Sequence, residues 1–150
     1  QHFDITHQAG ERDLALVREG FARAGLAARV EPYLDAMDRE MAWADLIVCR
    51  AGASTLAELS AYGKVGILIP FPHAAHNHQE MNARAMEAAG AARVLLQSDL
   101  TGQRLIEEIE HCISDIHHLQ TMAGRSWALR KVHATEQMVQ ECLSLVEGRV

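Results

Sequence analysis

Cysteine, long apolar runs and positive charge are all scarce in this 150-residue chain. The three cysteines, Cys49, Cys112 and Cys142, are an odd number and have no spacing that pairs them around a metal. A disulfide framework is therefore excluded, and a reducing, cytosolic compartment fits best. Although 49% of the residues are hydrophobic, no apolar stretch reaches the ~18 residues that a membrane-crossing helix needs. The net charge of −6 argues against wrapping nucleic acid. Repeats, linkers and low-complexity tracts are missing as well. The first residues, Gln1-His2-Phe3-Asp4, have neither an initiator Met nor the makings of a signal peptide, and read as the start of a cut or processed chain.

What is there is one domain's worth of chain, enough to bury about two thirds of its surface. Apolar runs alternate with helical periodicity. Phe3–Thr6, Ala28–Val30, Leu46–Val48, Val65–Ile69 and Ala92–Leu96 read as short strands. Helices are expected over about 11–24, where Leu14, Val17, Phe21 and Ala24 share a face, and over 35–44, 54–62 and 77–89. Beyond Thr101 everything reads as helix, over about 102–116, 118–131 and 135–147. Gly25, Gly63 and Gly90 are the stops. This alternation predicts an α/β fold: a Rossmann-like parallel sheet with helices on both faces.

The most informative stretch runs from Leu46 to Glu58, Leu-Ile-Val-Cys-Arg-Ala-Gly-Ala-Ser-Thr-Leu-Ala-Glu. It reads as a strand buried on both faces, a tight turn of small residues, and a helix capped by the hydroxyls of Ser54 and Thr55. Backbone N–H groups at a helix start carry roughly +0.5 of a charge and suit a phosphate or diphosphate. Glu58, one turn further in, would repel phosphate but can accept two hydrogen bonds from a vicinal diol such as a ribose. Turn plus acid suggests a nucleotide. The same turn also has a packing reading, and Glu58 the reading of an exposed acid favoured by the helix dipole. Arg50 reads as a structural arginine tied to a carboxylate rather than a diphosphate partner.

His73, His76 and His78 invite a zinc reading, which is set aside because the further candidates, Glu80 and His7, do not obviously converge with them. The histidines on the later helices, among them His111 and His118, are assigned nothing.

Cys49-Arg-Ala-Gly-Ala-Ser-Thr-Leu-Ala-Glu-Leu59 resembles the donor-binding motif of the MurG family of bacterial glycosyltransferases. Four further stretches match in family order: His7-Gln8-Ala9-Gly10, Pro32-Tyr33-Leu34-Asp35-Ala36-Met37, Ala42-Trp43-Ala44-Asp45 and Pro70-Phe71-Pro72-His73. So does His78-Gln79-Glu80-Met81-Asn82-Ala83. The likeness covers nearly the whole chain but only the C-terminal half of the family's protein.

The resemblance implies the donor half of a GT-B enzyme. Such an enzyme moves N-acetylglucosamine, with inversion, from UDP-N-acetylglucosamine to undecaprenyl-diphospho-muramyl-pentapeptide at the cytoplasmic face of the inner membrane. It implies that the Leu34 backbone pairs with uracil, with Tyr33 and Met37 as walls. The turn Ala53, Ser54, Thr55, Leu56 and Ala57 would meet the diphosphate and sugar. Glu58 would hold the ribose, and His78 and Gln79 the N-acetylglucosamine. His7-Gln8-Ala9-Gly10 would frame the cleft. No cofactor or metal is implied, and no catalytic residue falls in this stretch of the family's protein. The acceptor-binding N-terminal domain is expected to be absent.

The family's glycine-rich loop and first strand would lie before Gln1. That strand would sit centrally, between Phe3–Thr6 and Leu46–Val48, so the isolated chain is expected to be inactive and prone to self-association. Two other readings stay open: a non-catalytic UDP-sugar-binding subunit of a two-chain transferase, and a domain like that of UDP-N-acetylglucosamine epimerases.

Overall fold

The computed structural model describes residues 3–148, and Gln1 and His2, where the reading of a cut chain falls, lie outside them. The chain divides into two units, 1–40 and 41–150.

In the first unit, β1 (Ile5–Gln8) and β2 (Ala28–Glu31) pair in parallel, with Ile5 opposite Ala28 and Gln8 opposite Glu31. Between them runs α1 (Gly10–Arg23). Leu14, Val17 and Phe21 are half-buried along α1, and the His7 ring meets Phe21 edge-on at 5.9 Å. Arg18 ties the helix to β2, donating from Nε and Nη2 to the Val30 carbonyl at 3.1 and 2.7 Å. Arg29 on β2 pairs with Glu40. The first strand is displaced by two residues from its expected place. Polar His7 and Gln8 belong to it because β2 continues the ladder alongside them, and Ala9 N–H extends it to the Glu31 carbonyl at 2.9 Å.

The second unit is built on a parallel three-stranded sheet, β3 (Leu46–Cys49), β4 (Val65–Leu68) and β5 (Ala92–Val94), with β4 in the middle. Both β4 pairings are parallel. Its helices are α3 (Ala53–Tyr62), α4 (His78–Ala88), α5 (Gly102–Ile113), α6 (Ile116–Ala128) and α7 (Ala134–Glu147). A short helix, α2 (Met37–Trp43), spans the division between the units.

Every residue of β4 is buried, and its side chains alternate between two cores. Leu68 faces Leu56 and Leu59 of α3 and Ala83 and Met86 of α4. Val65 and Ile67 face Cys112 of α5 and Leu119 and Met122 of α6. Helices therefore cover both faces of this sheet, the doubly wound arrangement that the alternation of elements predicts.

One expectation fails here. The Leu46–Val48 strand is not buried on both faces: β3 ends its sheet, and Val48 is 44% exposed.

Gly63 adopts φ 60° and ends α3, its neighbour Lys64 donating back to the Leu59 carbonyl at 2.8 Å. Gly66 has a different role. A Cβ built there would lie 3.0 Å from Leu59 Cδ1 and 3.0 Å from Leu68 Cδ2. Its missing side chain lets α3 press directly on the central strand. Gly66→Val should therefore overpack this contact and destabilise the fold by about 1–3 kcal/mol, read as a lower midpoint in urea unfolding.

Candidate functional site

Parallel α/β sheets bind ligands beyond the carboxyl ends of their strands, and in the second unit that edge is formed by the loops after β3 and β4. The chain leaves β3 at Cys49, crosses Arg50-Ala51-Gly52 and enters α3. The N-cap is Gly52, in an extended conformation with φ −66° and ψ 145°, and no side chain caps the helix. Ser54 and Thr55 thus lie inside the first turn, which corrects the expectation that their hydroxyls cap it. Leu56 is the first residue whose N–H is taken up, by the Gly52 carbonyl at 3.0 Å. The preceding amides, of Ala53, Ser54 and Thr55, have no partner within the helix by its geometry. Ala53, Ser54, Ala57 and Glu58 are exposed and Thr55 is half-buried. Leu56 is not available as a side-chain contact, because it is packed into the core against Leu59 and Ala83.

Glu58 makes no hydrogen bond or ion pair among the described residues. Its charge is nevertheless felt nearby. Burial pushes the Cys49 thiol up to about 11, and the Glu58 carboxylate adds to the shift. Cys49 is therefore a neutral thiol in the wall behind the turn.

Arg50 is structural, but its partners are backbone and not the carboxylate expected. Its Nη1 donates to the carbonyls of Ile69 and Pro70 at 3.1 and 3.3 Å, and the guanidinium lies 5.7 Å from the centre of the Phe71 ring. It thereby fastens the loop after β4 to the end of β3.

That loop is held a second time by Gln79, whose Oε1 accepts the Phe71 N–H at 3.0 Å. The carboxamide oxygen thus has one lone pair engaged, and the NH₂ group is free to donate to a ligand. His76 and Asn77 both take left-handed conformations, with φ 51° and 55°, unusual for residues with a Cβ and enriched at ligand-binding loops. His78 opens α4 and its Nδ1 lies 2.7 Å from the Ala75 carbonyl. The His73 ring stacks edge-on against Phe71. Among the described residues, no three His, Cys, Asp or Glu side chains are grouped to hold a metal. Beside the loop, Asn77, Glu80 and Gln97 help to line a depression of about 150 Å³.

Tyr33, Leu34 and Met37 belong to the first unit. Tyr33 is 68% and Met37 37% exposed, whereas Leu34 is buried. The Leu34 N–H is already occupied: it donates to Oε1 of Gln8 at 3.0 Å. Reading the sequence placed Gln8 only in the frame of the cleft. The partnership joins residues 26 positions apart, and no local pattern signals it.

The strand–turn–helix edge, the open helix start and the unpaired acid are those of a doubly wound α/β unit with its ligand edge open. The family model described as "Glycosyltransferase family 28 C-terminal domain" matches residues 1–140, and the chain belongs to this family. A curated relative from Myxococcus xanthus is 43% identical over 97% of this chain and 37% of its own length. One from Aromatoleum aromaticum is 44% identical over 97% of this chain and 40% of its own length. Both are named UDP-N-acetylglucosamine–N-acetylmuramyl-(pentapeptide) pyrophosphoryl-undecaprenol N-acetylglucosamine transferase. The chain thus spans well under half the length of these curated relatives.

The crystal structure of Acinetobacter baumannii MurG superposes with a TM-score of 0.84 at 29% identity, over 93% of this chain and 40% of that one. The resemblance is to the C-terminal half of a GT-B fold. Spinosyn forosaminyltransferase SpnP shares the fold alone, with a TM-score of 0.58 at 13% identity over 85% of this chain and 40% of that one.

The buried thiols generate a prediction. An unfolded thiol ionises near 9, whereas folded Cys49 keeps its proton to about 11 and Cys112 is also raised, chiefly by burial. The unfolded state then binds fewer protons between these values. Stability is fully present below pH 9 and falls as the pH rises towards 11. Melting temperatures at pH 8, 9.5 and 11 should fall in that order, and Cys49→Ala should flatten the slope.

Proposed function

We propose that this chain is the donor-binding part of an inverting glycosyltransferase. The whole enzyme moves N-acetylglucosamine from UDP-N-acetylglucosamine to undecaprenyl-diphospho-muramyl-pentapeptide, the lipid I to lipid II step of peptidoglycan synthesis. The observation that carries this reading is the identity of 43% and 44%, sustained over 97% of the chain, to transferases of that name. The open amides at the start of α3 and the unpaired Glu58 supply the matching chemistry.

In this reading the backbone amides of Ala53, Ser54 and Thr55 meet the diphosphate. The α3 dipole stabilises the negative charge that grows as the sugar leaves. The small side chains of Ala53 and Ala57 let the ligand approach. Glu58 receives the two ribose hydroxyls. Being unpaired, it makes those bonds without first breaking a protein contact. Leu34 recognises uracil through its backbone, flanked by Tyr33 and Met37. The free NH₂ of Gln79 donates to a sugar hydroxyl, beside His78. The catalytic base and the lipid acceptor belong to a separate N-terminal domain of the full-length protein. Among the described residues no helix is long and apolar enough to cross a membrane, in keeping with a peripheral enzyme whose work lies at the cytoplasmic face of the inner membrane.

Two substitutions in the full-length protein test these roles. Glu58→Ala should weaken UDP binding roughly ten- to hundredfold, the scale of hydrogen bonds to a charged group. Unchanged affinity by calorimetry would remove Glu58 from the ribose site. Gln79→Ala should impair UDP-N-acetylglucosamine far more than UDP. An equal loss for both ligands would show Gln79 acting only through its hold on the Phe71 loop.

A further inference from the structure

The Leu34 N–H lies just past β2, at the edge where a base is assigned above, yet it is not free. Gln8, the last residue of β1, holds it with Oε1 at 3.0 Å in a partly buried bond. Gln8 is otherwise exposed, and its carboxamide has no other hydrogen-bond partner among the described residues. The side chain is thus committed to the chain through one bond to one backbone amide.

We propose that Gln8 is a built-in competitor for the base: its carboxamide occupies the Leu34 recognition edge until the uracil of the donor displaces it. This deepens the function proposed above and rests on its assignment of the base to Leu34. The chemistry of the occupant is what carries the inference. A primary carboxamide presents a carbonyl acceptor next to an N–H donor. The imide edge of uracil, a ring carbonyl beside N3–H, presents the same pair in the same order. A backbone amide satisfied by the one is satisfied by the other, so the exchange leaves no buried donor without a partner at its end points. Cytosine also offers acceptors to the Leu34 N–H, at O2 and N3, but it has no ring N–H and so lacks the donor that uracil and the carboxamide both place beside the carbonyl.

Two effects follow from one contact. Without a donor the Leu34 amide is satisfied and the turn after β2 is held. Binding then proceeds against the release of Gln8, which lowers the affinity for every uridine nucleotide by the same factor.

The test uses the full-length protein, UDP as the probe, calorimetry, and NMR of ¹⁵N-labelled leucine and glutamine. Gln8→Met keeps the length of the side chain but cannot accept the bond. It should bind UDP about three- to tenfold more tightly, the scale of one net hydrogen bond. Gln8→Glu places a charged and stronger acceptor on the same N–H and should bind UDP at least tenfold more weakly at pH 7. In the unsubstituted protein, saturating UDP should move the Leu34 amide resonance and shift the Gln8 NH₂ signals towards those of a solvated side chain. Loss of a purely structural bond would loosen the turn and weaken binding, the opposite of the Gln8→Met expectation.

A Leu34 amide unmoved by bound UDP would overturn the base assignment, and this proposal with it. A Leu34 amide that moves while Gln8→Met binds equally or more weakly would overturn the competitor role alone. Should Gln8→Met fail to fold, Gln8 NH₂ signals unchanged at saturation would overturn it in the unsubstituted protein.

Discussion

The close approach of α3 to β4 is the contact on which the second unit depends. At Gly66 the strand offers no side chain, and Leu59 fills the space at a distance that a Cβ would contest. Leu59 is fully buried there, as are Val65, Ile67 and Leu68 on the strand. Each such side chain contributes roughly 1.5–3 kcal/mol by leaving water; Leu59 and Leu68 hold the axis of α3 on the sheet, while Val65 and Ile67 anchor the opposite face to α5 and α6. The start of the helix is thereby carried to the carboxyl edge of β3. Its first amides then face outward because of where the core has placed the other end.

Around that edge the polar groups divide into those already engaged and those left open. Arg50 and Gln79 are engaged: one fastens Ile69 and Pro70, the other Phe71. They make a rigid wall from a loop that contains two residues in left-handed conformations. Glu58 is left open, exposed in the second turn of α3. Its field reaches Cys49 behind the turn. Glu108 shows the opposite arrangement. It is a buried acid on α5, held by Arg93 at 2.8 Å and Arg104 at 3.3 Å. The contrast between a buried, doubly paired carboxylate and an exposed, unpaired one separates structural from ligand-facing acid in this fold.

Much of the architecture is legible in the order of residues. The alternation of short apolar runs with helical periodicity dictates parallel strands joined by helices, since a parallel crossover needs a helix of about this length. Gly63 and Gly90 mark helix ends because a left-handed turn there is costly for any residue with a side chain. The motif residues from Cys49 to Leu59, together with those around Pro70 and Gln79, carry the family. These signals are local, arising within a few residues of one another, and survive in the bare sequence.

Tertiary structure decided the rest. Gly52, not Ser54, became the N-cap, because burial of Leu56 and Leu59 set the phase of α3. His7 and Gln8 joined a strand against their polarity, because β2 supplied the ladder. Val48 was left exposed in an apolar run, because β3 lies at the end of its sheet. The partners of Gln8, Arg50 and Gln79 are backbone groups from 8 to 26 positions away. A hydrogen bond to a distant backbone group requires no residue type at the accepting or donating end, so it leaves no trace in the sequence of the partner. Only the folded chain brings the two groups within reach.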